Sequence, residues 1–222
     1  MRQTPAHSSH NPDLLQFIPR AARRLVEVGS SSGALAKAYK TAYPACHYIG
    51  IEIDPSFADL SRQYCDEVVC ADIESMEQSA FERLFPSDCW IFGDTLEHLK
   101  DPWSTLRKIR QHLQPGGAVV ACIPNAQHWS IQARLNCGLF QYEDSGLLDR
   151  THLRWFTRIT IVELFESSGF RIEDAFPRIF EEPDREKVFA AIRVMATSIG
   201  ADPEMAIRDA VPFQWVIRAI PR

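Results

Sequence analysis

Apolar residues in this chain gather into short runs that alternate with stretches of helical spacing, and the alternation holds from residue 24 to residue 123. Arg24 to Val28, His47 to Asp54, Glu67 to Cys70, Cys89 to Phe92 and Ala118 to Ile123 read as five strands. The unbroken Cys89-Trp90-Ile91-Phe92 suits a central strand covered on both faces. Between the runs, Leu35, Ala38 and Ala42, then Phe57, Leu60 and Tyr64, then Trp103, Leu106, Ile109 and Leu113 recur at helical intervals. Glu77 to Phe85 carries a briefer helical pattern. Asp54-Pro55 and Asp101-Pro102 each join a capping side chain to a proline suited to the first helical turn. Strand and helix in sustained alternation predict an α/β fold, a doubly wound parallel sheet with right-handed crossovers.

Outside that stretch the rhythm changes. Met1 to Pro12 is polar and expected to be flexible unless an acceptor or a second subunit orders it, and Asp13 to Arg20 reads as a short helix with Leu14, Leu15 and Phe17 on its apolar face. Residues 124–157 mix aromatic, histidine and arginine residues around one short helix, Ser130 to Asn136, and loops that long usually carry function. Thr157 can cap a further helix bearing Ile161, Leu164 and Phe165, which Gly169 ends. Phe170 to Phe180 and Phe213 to Ile220 read as two more strands. The charged segment 181–209 between them places Val188, Ile192, Met195 and Ile199 along one side of a helix.

Composition narrows the class. A chain of 222 residues suits one domain, 1–222, and 45% hydrophobic with 24% charged residues is ordinary for a globular protein. A net charge of −5 argues against a broad nucleic-acid face. No apolar stretch is long enough to span a membrane and Met1 to Pro12 has no signal-peptide core, so a cytoplasmic location is expected. Six cysteines without a Cys-x-x-Cys pair, four of them (Cys46, Cys70, Cys89, Cys122) in or beside strand patterns, read as reduced and mostly buried.

The chemistry concentrates at Leu25 to Gly33, Leu-Val-Glu-Val-Gly-Ser-Ser-Ser-Gly, where a strand stops at one glycine and a helix begins at another. Such a turn lets a ligand lie against backbone N–H groups at the positive end of a helix. Glu52 follows about twenty residues on, at the end of the next strand, where ribose-binding folds place an acid. The set Glu27-x-Gly29-x-x-x-Gly33, Gly50-Ile51-Glu52-Ile53-Asp54-Pro55, Ala71-Asp72-Ile73 and Phe92-Gly93-Asp94-Thr95-Leu96-Glu97-His98 resembles the class I S-adenosylmethionine-dependent methyltransferases. The resemblance runs from about Leu14 to Phe170. It implies a Rossmann-like sheet of seven strands with the last antiparallel, and S-adenosylmethionine as cofactor.

On that resemblance, Gly29, Ser30, Ser31 and Gly33 cradle the methionine end, and Glu27 accepts hydrogen bonds from the cofactor's ammonium or from the turn itself. Glu52 takes the ribose hydroxyls, Ile53 the adenine face, and Asp72 with Ile73 the adenine edge, unless Asp72 is a plain helix cap. Asp94, Thr95 and Leu96 line the methionine side, and His98 is expected to serve structure more than catalysis. Many family members carry glycine where this chain has Ser31, which leaves the path of the turn open. Asp149-Arg150-Thr151-His152-Leu153-Arg154-Trp155-Phe156-Thr157 resembles a signature of members tied to sugar or cell-surface glycan assembly, some of them fused to glycosyltransferases. His152 is then a general base with Asp149 beside it, or else Asp149, His152 and Arg154 clasp a lid closed.

Asn125, His128, Trp129, Tyr142, Arg150 and Arg154 are the candidate acceptor contacts, for a small-molecule or sugar acceptor methylated on oxygen. Although Asp144 and Asp149 lie on this side, no metal-ligand spacing accompanies them, so no metal is expected. Partners in view are a second copy of the chain or a glycosyltransferase. Two rivals remain. A nicotinamide-dependent oxidoreductase would need glycine at 31, and a non-catalytic methyltransferase-like partner protein would have no need of Gly29, Gly33, Glu52 and Asp72 together.

Overall fold

A computed structural model of the protein describes residues 9–183 and 185–222. Seven strands form one sheet: β1 Arg24–Val28, β2 His47–Glu52, β3 Glu67–Cys70, β4 Cys89–Gly93, β5 Ala118–Pro124, β6 Phe170–Arg178 and β7 Gln214–Pro221. Their order across the sheet is β3-β2-β1-β4-β5-β7-β6. The first five are mutually parallel, and β7 runs antiparallel to both β5 and β6. The doubly wound α/β architecture and the antiparallel last strand are as the sequence predicts.

Nine helices accompany the strands among the described residues. They are α1 Pro12–Phe17, α2 Ala34–Ala42, α3 Pro55–Ser61, α4 Gln78–Glu82, α5 Pro102–His112, α6 Trp129–Asn136, α7 Arg158–Ser167, α8 Arg185–Ser198 and α9 Pro203–Ala210. The two Asp-Pro junctions act as the sequence suggests: Asp54 accepts the N–H groups of Ser56 and Phe57, and Asp101 that of Ser104. Thr157 caps α7 in the same way. Residues 1–8 of the leader, for which the sequence reading expects flexibility, lie outside the described residues. From its remainder Asn11 caps α1, accepting from Asp13 and Leu14.

Two apolar layers sandwich the sheet. One gathers Val26, Ile49, Trp90, Phe92 and Leu164, the other Leu25, Tyr39, Tyr48, Ile91 and Val216. Three helix faces differ from the predicted ones. In α2 Leu35, Ala36 and Tyr39 are buried while Ala42 is exposed. In α3 Ala58 and Ser61 face inward and Leu60 outward. In α8 the inner set is Phe189, Ile192 and Ala196, leaving Met195 and Ile199 to solvent. Cys70, expected among the buried thiols, is exposed.

Candidate active site

The first turn closes through its own backbone. Gly29 and Ser30 donate to the Ile51 carbonyl at 2.8 and 3.2 Å, and Gly33 donates to Ser30 at 2.8 Å. Gly29 and Gly33 both have left-handed backbones, with φ of 78° and 75°. A Cβ on Gly29 would sit 2.8 Å from the Thr95 hydroxyl, and one on Gly33 would stand 3.0 Å from the Ser61 Cα. No other residue fits either place without displacing a neighbour. Ser31 also takes positive φ, 48°, so the chain makes at a serine the bend for which glycine is better suited.

Glu52 fastens that bend. One of its carboxylate oxygens accepts the Ser31 N–H at 2.8 Å and the other accepts the Asp54 N–H at 3.1 Å, at the C-terminal end of β2. A carboxylate has about four acceptor positions, so two remain for ribose hydroxyls. Glu27 is buried on the sheet face that carries Tyr48, whose hydroxyl donates to it at 3.0 Å. Burial raises the Glu27 pKa to about 8, with the Glu52 charge adding to the rise and Tyr48 opposing it. The Ser30 hydroxyl is buried without a hydrogen-bond partner among the described residues, a polar group left for a ligand to satisfy.

These groups open onto one cleft of about 910 Å³ at the C-terminal ends of β1, β2 and β4, the edge at which open α/β sheets bind ligands. Glu27, Gly29, Ser30, Ser31, Glu52, Ile53, Asp72, Ile73, Asp94 and Thr95 all line it. Asp72 also accepts the Glu74 N–H at 2.9 Å, so it closes its own turn. Gly33 and Leu96 do not line the cleft: Gly33 supports the turn from behind, and Leu96 is wholly buried in the core. Asp94 adopts φ 55° and accepts from the Gln214 amide.

At the far side of the same cleft lie Glu97, His98, Asp149, Thr151 and His152. Asp149 accepts the Thr151 N–H at 2.7 Å and its hydroxyl at 2.6 Å, and the same hydroxyl lies 3.0 Å from His98 Nδ1. The rings of His98 and His152 meet edge to face, 4.8 Å between centroids. Desolvation, and then His98, lower the His152 pKa to about 4, so this imidazole is uncharged at neutral pH. Burial holds the Glu97 carboxyl well above its ordinary value, and Asp94 pushes it further. The three-member clasp of Asp149, His152 and Arg154 is not what forms: Asp149 holds Thr151, and Arg154 bonds the carbonyls of Leu153 and Lys100.

The six candidate acceptor contacts are corrected more sharply, because none lines the cleft. Asn125 is wholly buried and gives its amide to the carbonyls of Asp209 and Pro212 at 2.8 and 2.7 Å. The buried His128 bonds the Ser130 hydroxyl at 2.8 Å, and Trp129 packs on the α8–α9 cluster. Tyr142 is exposed, and Arg150 pairs with Asp144 at the surface. Ser145, Leu147, Leu153, Arg178 and Gln214 line the cleft instead. Arg178, from β6, bonds Asp13 at 2.8 Å and also reaches Gln214. The antiparallel pairings of β7 with β5 and with β6 set Gln214 opposite both Pro124 and Arg178, and nothing local in the sequence marks that placement.

Comparison with known proteins adds three findings. A family model described as a methyltransferase domain matches residues 5–175. No curated protein sequence matches significantly. Among solved structures, a SAM dependent methyltransferase from Archaeoglobus fulgidus is similar over 93% of this chain and 90% of its own, with 20% identity and a TM-score of 0.62. The mitomycin 7-O-methyltransferase is similar over 91% of this chain, with 15% identity and a TM-score of 0.57, but this chain spans only 50% of its length. An O-methyltransferase from neocarzinostatin biosynthesis, in complex with S-adenosyl-L-homocysteine and 1,4-dihydroxy-2-naphthoic acid, gives 13% identity and a TM-score of 0.57 over 94% of this chain and 52% of its own.

Proposed function

The chain belongs to the methyltransferase domain family, and we propose that it is an S-adenosylmethionine-dependent O-methyltransferase acting on a small-molecule or sugar hydroxyl, with one domain over residues 1–222. S-adenosylmethionine, when bound, supplies a methyl group already activated on a sulfonium. The observation that carries this reading is Glu52, a buried carboxylate that ties the Gly29–Gly33 turn and keeps acceptor positions to spare inside the cleft. Ser30 contributes an unpartnered hydroxyl and Glu27 a buried acid suited to a cationic ligand. Ile53 and Ile73 offer apolar surface to the adenine, and Asp72 its edge contact.

His152 and Asp149, across the cleft, form the side that meets the acceptor. Holding donor and acceptor in line is the larger part of the work, since the methyl is already activated. The signature around His152 favours a sugar or glycan precursor as acceptor and association with a glycosyltransferase; a second copy of the chain is the other partner in this reading, and its setting is cytoplasmic. Calorimetric titration tests the cofactor: S-adenosylmethionine and its demethylated product should bind one per chain, and NAD should not. Glu52→Gln should weaken the binding by about a hundredfold, equal to ~3 kcal/mol for hydrogen bonds to a charged group. Equal affinity in this variant removes the ribose assignment, and binding of NAD alone overturns the reading altogether.

A further inference from the structure

Glu97 is 1% exposed, and neither of its carboxylate oxygens meets a hydrogen-bond donor from any other described residue. Its nearest charged-group contact, His152 Nε2, stands 3.9 Å from Oε1, beyond hydrogen-bond reach. Protonation does not remove the difficulty. An ionised carboxylate would lack donors, and a neutral one would lack a partner for its own O–H. Leaving such a group bare is among the more expensive arrangements a buried site can contain. One ligand atom each from Glu97, His98 and His152 nevertheless converge, all within 4.8 Å of one another.

We propose that Glu97, His98 and His152 hold a divalent first-row transition-metal cation on the acceptor side of the cleft. Two imidazoles with one carboxylate suit zinc, cobalt, iron or manganese, whereas magnesium and calcium prefer all-oxygen sets. Three protein ligands leave coordination positions open, and the site borders the cleft that also contains Glu52 and Ser31. An acceptor oxygen is the ligand that fits there, which assigns His152 to the metal rather than to proton removal on its own. The role in methyl transfer rests on the function proposed above; the binding of the ion does not.

The surroundings are those of a built site. His98 Nδ1 lies 3.0 Å from the Thr151 hydroxyl and 3.2 Å from the Thr151 carbonyl, and that hydroxyl donates to Asp149 at 2.6 Å. With Nδ1 engaged, Nε2 is the nitrogen left for an ion, and the ring cannot turn without breaking those bonds. The Glu97 carbonyl accepts the N–H groups of Leu153 and Arg154 at 2.8 and 2.9 Å. Two parts of the chain remote in sequence are thus stitched together by backbone at the point where the three donors meet. Metal bonds of ~2.0–2.2 Å would draw the donors closer together than they stand, so loading should tighten this junction. No local spacing marks the site, because Glu97 and His98 precede α5, β5 and α6 while His152 follows them.

The test is a titration of the chelator-treated full chain with Co²⁺, followed by visible absorption and by the thermal midpoint. One equivalent should bind, give the d–d bands of a low-coordinate site, and raise the midpoint. Glu97→Gln and His152→Gln should each weaken binding at least about tenfold and abolish the rise, while S-adenosylmethionine affinity in both shows that the fold is kept. Thr151→Val, which changes only the support of His98, should weaken Co²⁺ binding less than either. Absence of saturable Co²⁺ binding in the natural chain, or unchanged binding in both ligand variants, overturns the proposal. If Co²⁺ binds and S-adenosylmethionine does not, the metal site stands and the donor assignment falls; the opposite pair of results does the reverse.

Discussion

At the end of the cleft proposed to hold the methyl donor, the lining groups come from strand ends and the turns that follow them: Gly29 to Ser31 after β1, Glu52 at the end of β2, Asp94 and Thr95 after β4. Each bonds to its immediate neighbours in the parallel sheet, as Ser31 does to Glu52 and Thr95 to the Val28 carbonyl at 2.9 Å. At the acceptor end, Thr151 must reach His98, Leu153 must reach Glu97, and Asn125 must reach α9. Both ends hold a buried acid, Glu27 at one and Glu97 at the other, but the donor end follows from parallel pairing and holds the strained Ser31. The acceptor end is assembled from pieces far apart in sequence, and side chains carry more of the joining. The two ends should therefore respond differently to pH and to substitution.

The largest difference should be in pH. Glu27 goes from an ordinary carboxyl in the unfolded chain to a pKa of about 8 in the folded one, mainly through burial. At Glu27 the folded state then binds more protons than the unfolded state between those values, so this group's contribution to stability falls as pH rises from about 4.5 to about 8. Below that window both states are protonated and the contribution is fully present. Within it the loss approaches ~1.4 kcal/mol per pH unit, several kcal/mol across the window. His128 and His152, lowered to about 4 mainly by burial, contribute the opposite slope below about pH 6.5. The Glu27 contribution is therefore read as a difference: in denaturant unfolding at stepped pH, the stability of the natural chain relative to Glu27→Gln should fall with this slope. Binding of a cationic cofactor should reverse the preference and expel part of a proton near pH 7. Calorimetry in two buffers of different ionisation enthalpy reads that release, and an unchanged slope in Glu27→Gln places the pH dependence elsewhere.

The same contrast explains what could be read from the sequence. Strand ends are local features, so Arg24 to Val28, Glu52 and the Asp-Pro caps were legible, and with them the donor end. Helix faces were less so. In α3 the small residues Ala58 and Ser61 face inward because Ser61 lies against Gly33, a closeness that bulky Phe57 or Leu60 would prevent. Asn125 and His128 have the polarity of acceptor contacts, yet their hydrogen-bonding groups are spent on Pro212, Asp209 and Ser130. Glu97 stands in the sequence within the run Asp94 to His98, and what joins that run to the distant residues 153 and 154, whose N–H groups bond the Glu97 carbonyl, is not a local feature.

Removing a stitch at the acceptor end should have an intermediate effect. Asn125→Ala leaves the Asp209 and Pro212 carbonyls without their donor and the Gln127 N–H without the acceptor it meets at 3.0 Å. The expected loss is ~2–3 kcal/mol, as for buried polar groups left unpaired. It should be local as well as global. Amide exchange should quicken in α9 and residues 125–128, which keep the residue-125 N–H to Phe213 carbonyl bond at 3.0 Å and the Arg158–Asp209 pair at 2.7 Å, while β1 and β2 change little. Equal acceleration in β1 would mean that the two ends do not open separately.

The smallest effect should run in the opposite direction, at the donor end. Ser31 holds φ 48°, a conformation that costs a residue with a Cβ roughly 1–2 kcal/mol. Ser31→Gly removes that strain but gives the unfolded chain more freedom, worth roughly 0.5–1 kcal/mol against it. The net should be a gain of about 0.5–1 kcal/mol with the Ser31 N–H to Glu52 bond kept, because the donor belongs to the backbone. Thermal unfolding at constant pH measures it, and S-adenosylmethionine affinity shows whether the serine side chain contributes anything further. A gain in stability with a loss of affinity would mean that the strain is held for the hydroxyl's sake. A gain with affinity unchanged would mean that the turn needs only its backbone.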